Sequence, residues 1–127
     1  MKKLQKDIKI YLTERNWHTL RPSDIAKSIS IEAAELLELF QWQSLDIQGT
    51  KNDKEKMEKL KGELADVFLY AIEMAVLLDL DSEKVIRAKL ERVKKKYPAA
   101  LMRKNKGEHG TQEAYLKIKQ AYRAKGK

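Results

Sequence analysis

Five acidic residues stand where two helix-forming stretches should turn apolar faces inward. In IEAAELLELFQW (31–42), Glu32, Glu35 and Glu38 recur every third residue among Ile31, Leu36, Leu37, Leu39 and Phe40. In KGELADVFLYAIEMA (61–75), Glu63 and Asp66 repeat the arrangement. At about 100° per residue, Ile25, Leu36 and Leu39 fall within roughly 40° of Glu32, which places this glutamate in the apolar stripe. Glu35 lies about 60° to one side, and Glu38 about 120° round, toward solvent. Val67, Tyr70 and Met74 likewise fall within about 40° of Glu63, with Asp66 about 60° off on the matching side. Each helix thus offers an i, i+3 carboxylate pair beside a core-facing surface.

Four carboxylates facing one another repel, and they are costly to desolvate unless protons, basic groups or divalent cations compensate. As ordinary surface charges they would instead pair with lysines such as Lys27, Lys59 and Lys61. A metal held by carboxylate oxygens alone would be a hard cation, Mg²⁺ with Mn²⁺ as its substitute. A di-iron centre needs Glu-x-x-His on its helices. The only histidines are His18 and His109, and neither follows a glutamate by three. Neither HExxH nor GxxxxGK[ST] occurs, so a bound nucleotide would be held by metal and side chains rather than by a phosphate loop.

The elements that must carry these acids are helical. Leu4, Ile8, Tyr11 and Leu12 make 2–15 a short amphipathic helix. NWHTLRPSD reads as a loop, and Ser23 or Asp24 is expected to cap a second helix running to about Ser44. LDIQGTKND reads as a polar connection. A long helix is expected from about Asp53 to Leu80, and another over DSEKVIRAKLERVKKKYP, ending before Pro98. AALMRKNKGEHG reads as irregular, and EAYLKIKQAYRAKGK as a short basic helix packed through Tyr115, Ile118 and Tyr122. The expected class is all-α and four-helix-bundle-like, with a domain over 1–106 and a basic tail over 107–127.

The chain has 127 residues, no cysteine and a formal charge of +8. Disulfides and thiolate metal sites are therefore excluded. No apolar run approaches the roughly 20 residues that span a bilayer, and no apolar signal region opens the chain, so a cytoplasmic protein is expected. From Val85 onward there are 14 Lys and Arg against 3 Asp and Glu, whereas residues 1–84 carry 13 against 16. A basic back half suits an anionic partner, either nucleic acid or a phosphorylated small molecule; it also suits a solvated tail kept for solubility.

IEAAELLELFQW followed by GELADVFLYAIEMA, with ERNWHTLRPSDIAKSIS upstream and KLERVKKKYP downstream, resembles the MazG-like, all-α nucleoside triphosphate pyrophosphohydrolases. The short single-domain forms similar to dCTP pyrophosphatase are the nearest in pattern, over about residues 10–98. The resemblance implies hydrolysis of a (deoxy)nucleoside triphosphate to monophosphate and pyrophosphate, in the service of nucleotide-pool sanitation. It implies that Glu32, Glu35, Glu63 and Asp66 bind Mg²⁺, with Glu38 holding a second cation or orienting water. Trp17 and Trp42 correspond to aromatics near the base pocket, and equally to core or dimer packing. Lys89, Arg92, Lys96 and Tyr97 fall in the segment that contacts phosphates, or on a solvated basic helix. Ser23 and Asp24 stand where relatives often have a basic residue and Asn, and Gly62 replaces a common acid, departures that bear on substrate preference.

Val67, Phe68, Leu69, Ile72, Val76 and Leu77 ring the long helix nearly all round, and such a helix must be buried on every side. A homodimer or a dimer of dimers is expected to complete the core. The competing class is a non-enzymatic helical protein gripping nucleic acid or a partner with its basic half, through Lys94, Lys95, Lys96 and the tail. No helix-turn-helix, zinc-finger or RNA-recognition signature supports it, and it leaves the in-register carboxylates without a use.

Overall fold

The computed structural model describes residues 1–104 and 108–127, and it is all-α, with no strand among the described residues. The chain divides into two compact units, Met1–Glu83 and Lys84–Lys127.

In the first unit, α1 (Lys2–Glu14) buries Ile8 and Leu12, one helical turn apart. Asn16 then adopts a left-handed backbone, φ 58°. Asparagine tolerates that conformation far better than branched residues do. The reversal starts a 3-10 turn, Trp17–Thr19, and sets the Trp17 ring edge-on to Tyr11, with centroids 5.7 Å apart.

The second helix corrects two expectations. First, α2 (Pro22–Glu38) begins at Pro22 without a side-chain cap, so Ser23 and Asp24 do not cap it. Proline has its backbone angle preset for a first turn and lacks the N–H that a cap would satisfy. Asp24 instead sits in that turn, where Arg21 Nε donates to its carboxylate at 3.1 Å. Second, α2 stops at Glu38, well before Ser44, and residues 39–42 form turns and bends. The cause is tertiary. Lys56 Nζ donates to the Leu39 carbonyl at 2.9 Å and to Gln43 Oε1 at 2.6 Å, and lies 5.3 Å from the Phe40 ring centroid. A cation satisfying the last carbonyls of a helix makes the early stop favourable.

The connection that follows is also partly helical. In α3 (Ile47–Asn52), Asp46 Oδ1 accepts the Gly49 N–H at 2.7 Å. Asp53 performs the same capping for α4 (Lys54–Leu77), accepting the Lys56 N–H at 2.9 Å. α4 packs along α2 and also against α1 and α3. Gln5 of α1 ties down the chain beyond α4: its amide donates to the Leu80 carbonyl at 2.8 Å and accepts from the Ser82 N–H at 3.0 Å. The apolar ring of α4 is unevenly covered. Val67, Leu69, Ile72, Val76 and Leu77 are half-buried, while Phe68 is 59% exposed.

The second unit holds nearly all of α5 (Ser82–Lys96), with α6 (Ala99–Lys104) packed on α7 (Glu108–Ala124). The stretch from Ala99 was expected to be irregular, yet Ala99–Lys104 is helical. Its residues are strong helix formers, and the Met102 N–H closes a turn onto the Pro98 carbonyl at 3.1 Å. Residues 105–107 of that stretch, and with them the expected domain boundary between 106 and 107, lie outside the described residues. α7 is longer than the short helix expected. Tyr115 on it stacks on Tyr97 with centroids 5.0 Å apart, and Lys96 lies 4.7 Å from the Tyr122 ring centroid.

Candidate functional site

Packing α2 against α4 brings three of the five acids together: one carboxylate oxygen each from Glu32, Glu63 and Asp66 lies within 4.8 Å of the others. Glu32 and Glu63 are half-buried. Burial, and then the negative charge of the neighbouring acids, raises both above the usual glutamate range. Glu35 adds repulsion on both, and Glu38 adds repulsion on Glu63. All five acids therefore share one electrostatic site. Glu32, Glu63 and Asp66 form its centre.

Two of the three lysines expected to pair with these acids as surface charges are engaged elsewhere. Lys59 pairs with Glu55 and Lys61 with Glu58, each within α4. An all-oxygen donor set of this density fits a hard divalent ion by its chemistry. No ion's position is implied by that fit.

Beside the acids lies a cavity of about 460 Å³. Two helical faces wall it: Asp24, Ser28 and Glu32 from α2, and Asp66, Tyr70 and Glu73 from α4. Tyr11 and Trp17 close the side toward α1. Arg21 holds the Asp24 carboxyl below the usual range. Burial, followed by the charges of Glu32, Glu73 and Asp66, pushes the Tyr70 phenol up, so it stays neutral. Glu73 is only 4% exposed, and burial alone raises its carboxyl above the usual range.

Trp17 lies on the cavity wall. Trp42 does not line this cavity; it is 88% exposed, in the irregular segment beyond α2. In the second unit, Lys89, Arg92 and Lys96 line a separate cavity of about 300 Å³ with Tyr122 and Lys127, and Tyr97 stands beside it against Tyr115. That grouping joins the three basic residues named from sequence to two aromatic rings of the tail region.

Glu73 escaped the sequence reading, although the signal was present. Seven residues beyond Asp66, it lies about 20° from it around the helix, on the same face. It reads as a surface charge until the packing of α4 shows that this face is covered.

Glu32 from α2 meets Glu63 and Asp66 from α4, so the fold and site define an all-α protein with an acidic cluster between two packed helices. The sequence comparison gives the family. Residues 27–113 match the MazG-like family, and the chain belongs to it. It is 30% identical over 96 residues to dCTP pyrophosphatase 1 of Rattus norvegicus, and 28% identical over 95 residues to that of Homo sapiens. Each match covers 73% of this chain and 56% of the relative, so the chain matches little more than half the length of these proteins. A pyrophosphatase from Archaeoglobus fulgidus of known structure superposes with a TM-score of 0.65 at 31% identity, over 77% of this chain and 92% of that one.

Proposed function

We propose that this protein hydrolyses a (deoxy)nucleoside triphosphate to the monophosphate and pyrophosphate, in the cytoplasm and for nucleotide-pool sanitation. The observation that carries the reading is the approach of Glu32, Glu63 and Asp66 to within 4.8 Å, while Lys59 and Lys61 pair with other acids of α4. The relatives' names support it. Glu32, Glu35, Glu63 and Asp66 are the proposed Mg²⁺ ligands. When bound, the ion supplies charge neutralisation for the phosphates and lowers the pKa of a coordinated water.

The chain's own residues then have positional tasks. Phosphoryl transfer asks mainly for alignment and electrostatic stabilisation, which rigid helices provide well. Water adds across the α–β anhydride: its oxygen joins one of the two phosphorus atoms, the bridging oxygen leaves with the other, and the proton released passes to solvent or to a neighbouring carboxylate. Glu38 holds a second cation or orients that water. Trp17 offers an apolar face to the base, and Trp42 is assigned the same role from the family pattern. Lys89, Arg92, Lys96 and Tyr97 are assigned to the phosphates from the family pattern.

The test is pyrophosphate release from a panel of canonical and modified nucleotides, with Mg²⁺ and with EDTA. Metal-dependent release with monophosphate as co-product is expected. A folded protein releasing none from any nucleotide would return the basic-half binding reading to first place.

A homodimer or dimer of dimers belongs to the same proposal, supported by the exposure of Phe68, Leu37, Ile31 and Trp42. Leaving so much apolar surface in water is unfavourable. Equilibrium sedimentation at micromolar concentration is expected to give a mass of at least two chains; a folded monomer would contradict it.

A further inference from the structure

The second unit gathers cations at a cavity of its own. Lys89, Arg92, Val93 and Lys96 of α5 line it, with Tyr122 of α7 and Lys127 just beyond. Four of these six residues are cationic, and no acidic residue is among the described lining. Around α5, Arg92 lies about 60° and Lys96 about 20° from Lys89, so the three share one face. Like charges at that spacing repel. Glu91 sits next to Arg92 in sequence but is engaged with Lys94, at 2.7 Å. A helix made basic only for solubility has no reason to collect its charge against a cavity.

Aromatic rings are interleaved with these cations. Lys96 Nζ lies 4.7 Å from the Tyr122 ring centroid and 5.4 Å from that of Tyr97, and Lys119 Nζ lies 5.5 Å from that of Tyr115. Tyr115 stacks on Tyr97 with the planes 19° apart, yet it stays 41% exposed. Burial and then Tyr115 raise the Tyr97 phenol, while the charges of Lys119 and Arg123 pull it back. Two further cations of α7 therefore bear on the same rings.

The extent of the charge selects the ligand. From Val85 onward, 14 Lys and Arg stand against 3 Asp and Glu. A phosphorylated small molecule would engage the cavity and leave most of the others without a use. A strand charged at every phosphate engages both, and its unpaired bases can stack on tyrosine rings. Binding of this kind follows backbone charge and stacking rather than sequence, so it needs none of the recognition motifs that the chain lacks.

We propose that this face of the second unit binds single-stranded nucleic acid, with phosphates at Lys89, Arg92 and Lys96 and a base against Tyr122. The family match ends at residue 113, so Tyr115, Lys119, Tyr122 and Arg123 lie beyond what family membership accounts for. The activity is separate from the hydrolytic reading, since it requires neither the acidic cluster nor a metal.

The experiment is fluorescence anisotropy of a labelled oligothymidylate with the full chain in EDTA, across a salt series. Binding is expected at low salt, with log affinity against log salt falling at a slope of about −2, as roughly three phosphate contacts give. Lys89 and Arg92 are exposed, so Lys89→Gln and Arg92→Gln should fold. Each is expected to make the slope shallower by about 0.7. Lys51→Gln, in α3, removes the same charge from the first unit and should leave the slope unchanged. Tyr122→Leu is expected to keep the slope and weaken binding at least about fivefold, the loss of one stacked base. No binding at low salt would overturn the assignment. Equal losses in Lys51→Gln and Arg92→Gln, an unchanged affinity in Tyr122→Leu, or a duplex bound as tightly as the strand would each overturn it too. So would displacement of the strand by pyrophosphate or dTTP at equal phosphate concentration, because the cavity would then serve a phosphorylated small molecule. Strand binding without nucleotide hydrolysis would uphold this assignment and remove only the reaction proposed above. Hydrolysis without strand binding would do the reverse.

Discussion

Glu63→Ala is expected to lower kcat/KM for Mg²⁺-dependent nucleotide hydrolysis by roughly a thousandfold, the scale on which loss of one element of charge stabilisation slows such a reaction. The reason is its place in the cluster. Glu63 is the acid on which Glu35, Asp66 and Glu38 all act, so its carboxylate lies at the junction of the α2 and α4 acids. A generic structural role predicts something different. Removing one of several mutually repelling carboxylates should leave the metal-free protein as stable as before or more so, whereas loss of a packing residue would destabilise it. Steady-state kinetics and a urea titration on the same variant separate the two. Glu58→Ala is the control: its carboxylate pairs with Lys61 on the exposed side of the same helix, and its removal should leave the rate within a factor of two. Unchanged hydrolysis in Glu63→Ala would refute the metal assignment.

The metal-free protein is expected to lose stability as pH rises from about 4.5, the ordinary glutamate value, toward neutrality. Glu32, Glu63 and Glu73 all have carboxyls raised by burial, the first two also by neighbouring acids. A carboxyl raised in the folded state binds its proton more tightly there than in the unfolded chain. Its favourable contribution is therefore complete below the unfolded pKa and is lost as pH climbs through the folded one. Acids paired with cations would give the opposite slope. Thermal melts in EDTA from pH 4 to 8 check the sign, and Mg²⁺ should restore stability mainly at the neutral end, where the cluster is ionised. The Glu73 component is separable. Glu73→Leu is expected to raise stability at pH 7 by about 1–3 kcal/mol, since it replaces a carboxyl whose charged form burial disfavours with an apolar side chain. A melt that rises with pH in EDTA, or is untouched by Mg²⁺ at pH 7, would refute this account.

The acid pairs were readable before any coordinates, because their placement depends only on helical periodicity. Once IEAAELLELF and KGELADVFLYAIEMA are helical, Glu32 and Glu63 must share faces with Leu36, Leu39, Val67 and Met74, and no distant residue can alter that angle. The all-α class followed as directly, from helix-forming composition and helical periodicity. Family membership was carried by the order of these local pieces.

What eluded the sequence depends on partners far away in the chain. The end of α2 lies at Glu38 because Lys56, from another helix, satisfies the carbonyl of Leu39; propensity alone would carry the helix to Ser44. Trp17 reaches the cavity through the left-handed turn at Asn16 and its contact with Tyr11. Whether Glu73 is a solvated charge or a buried one cannot be computed from its own helix, since its burial comes from the elements packed over that face. Periodicity sets the direction in which a side chain points along one helix, and only the neighbouring helices set what it meets there.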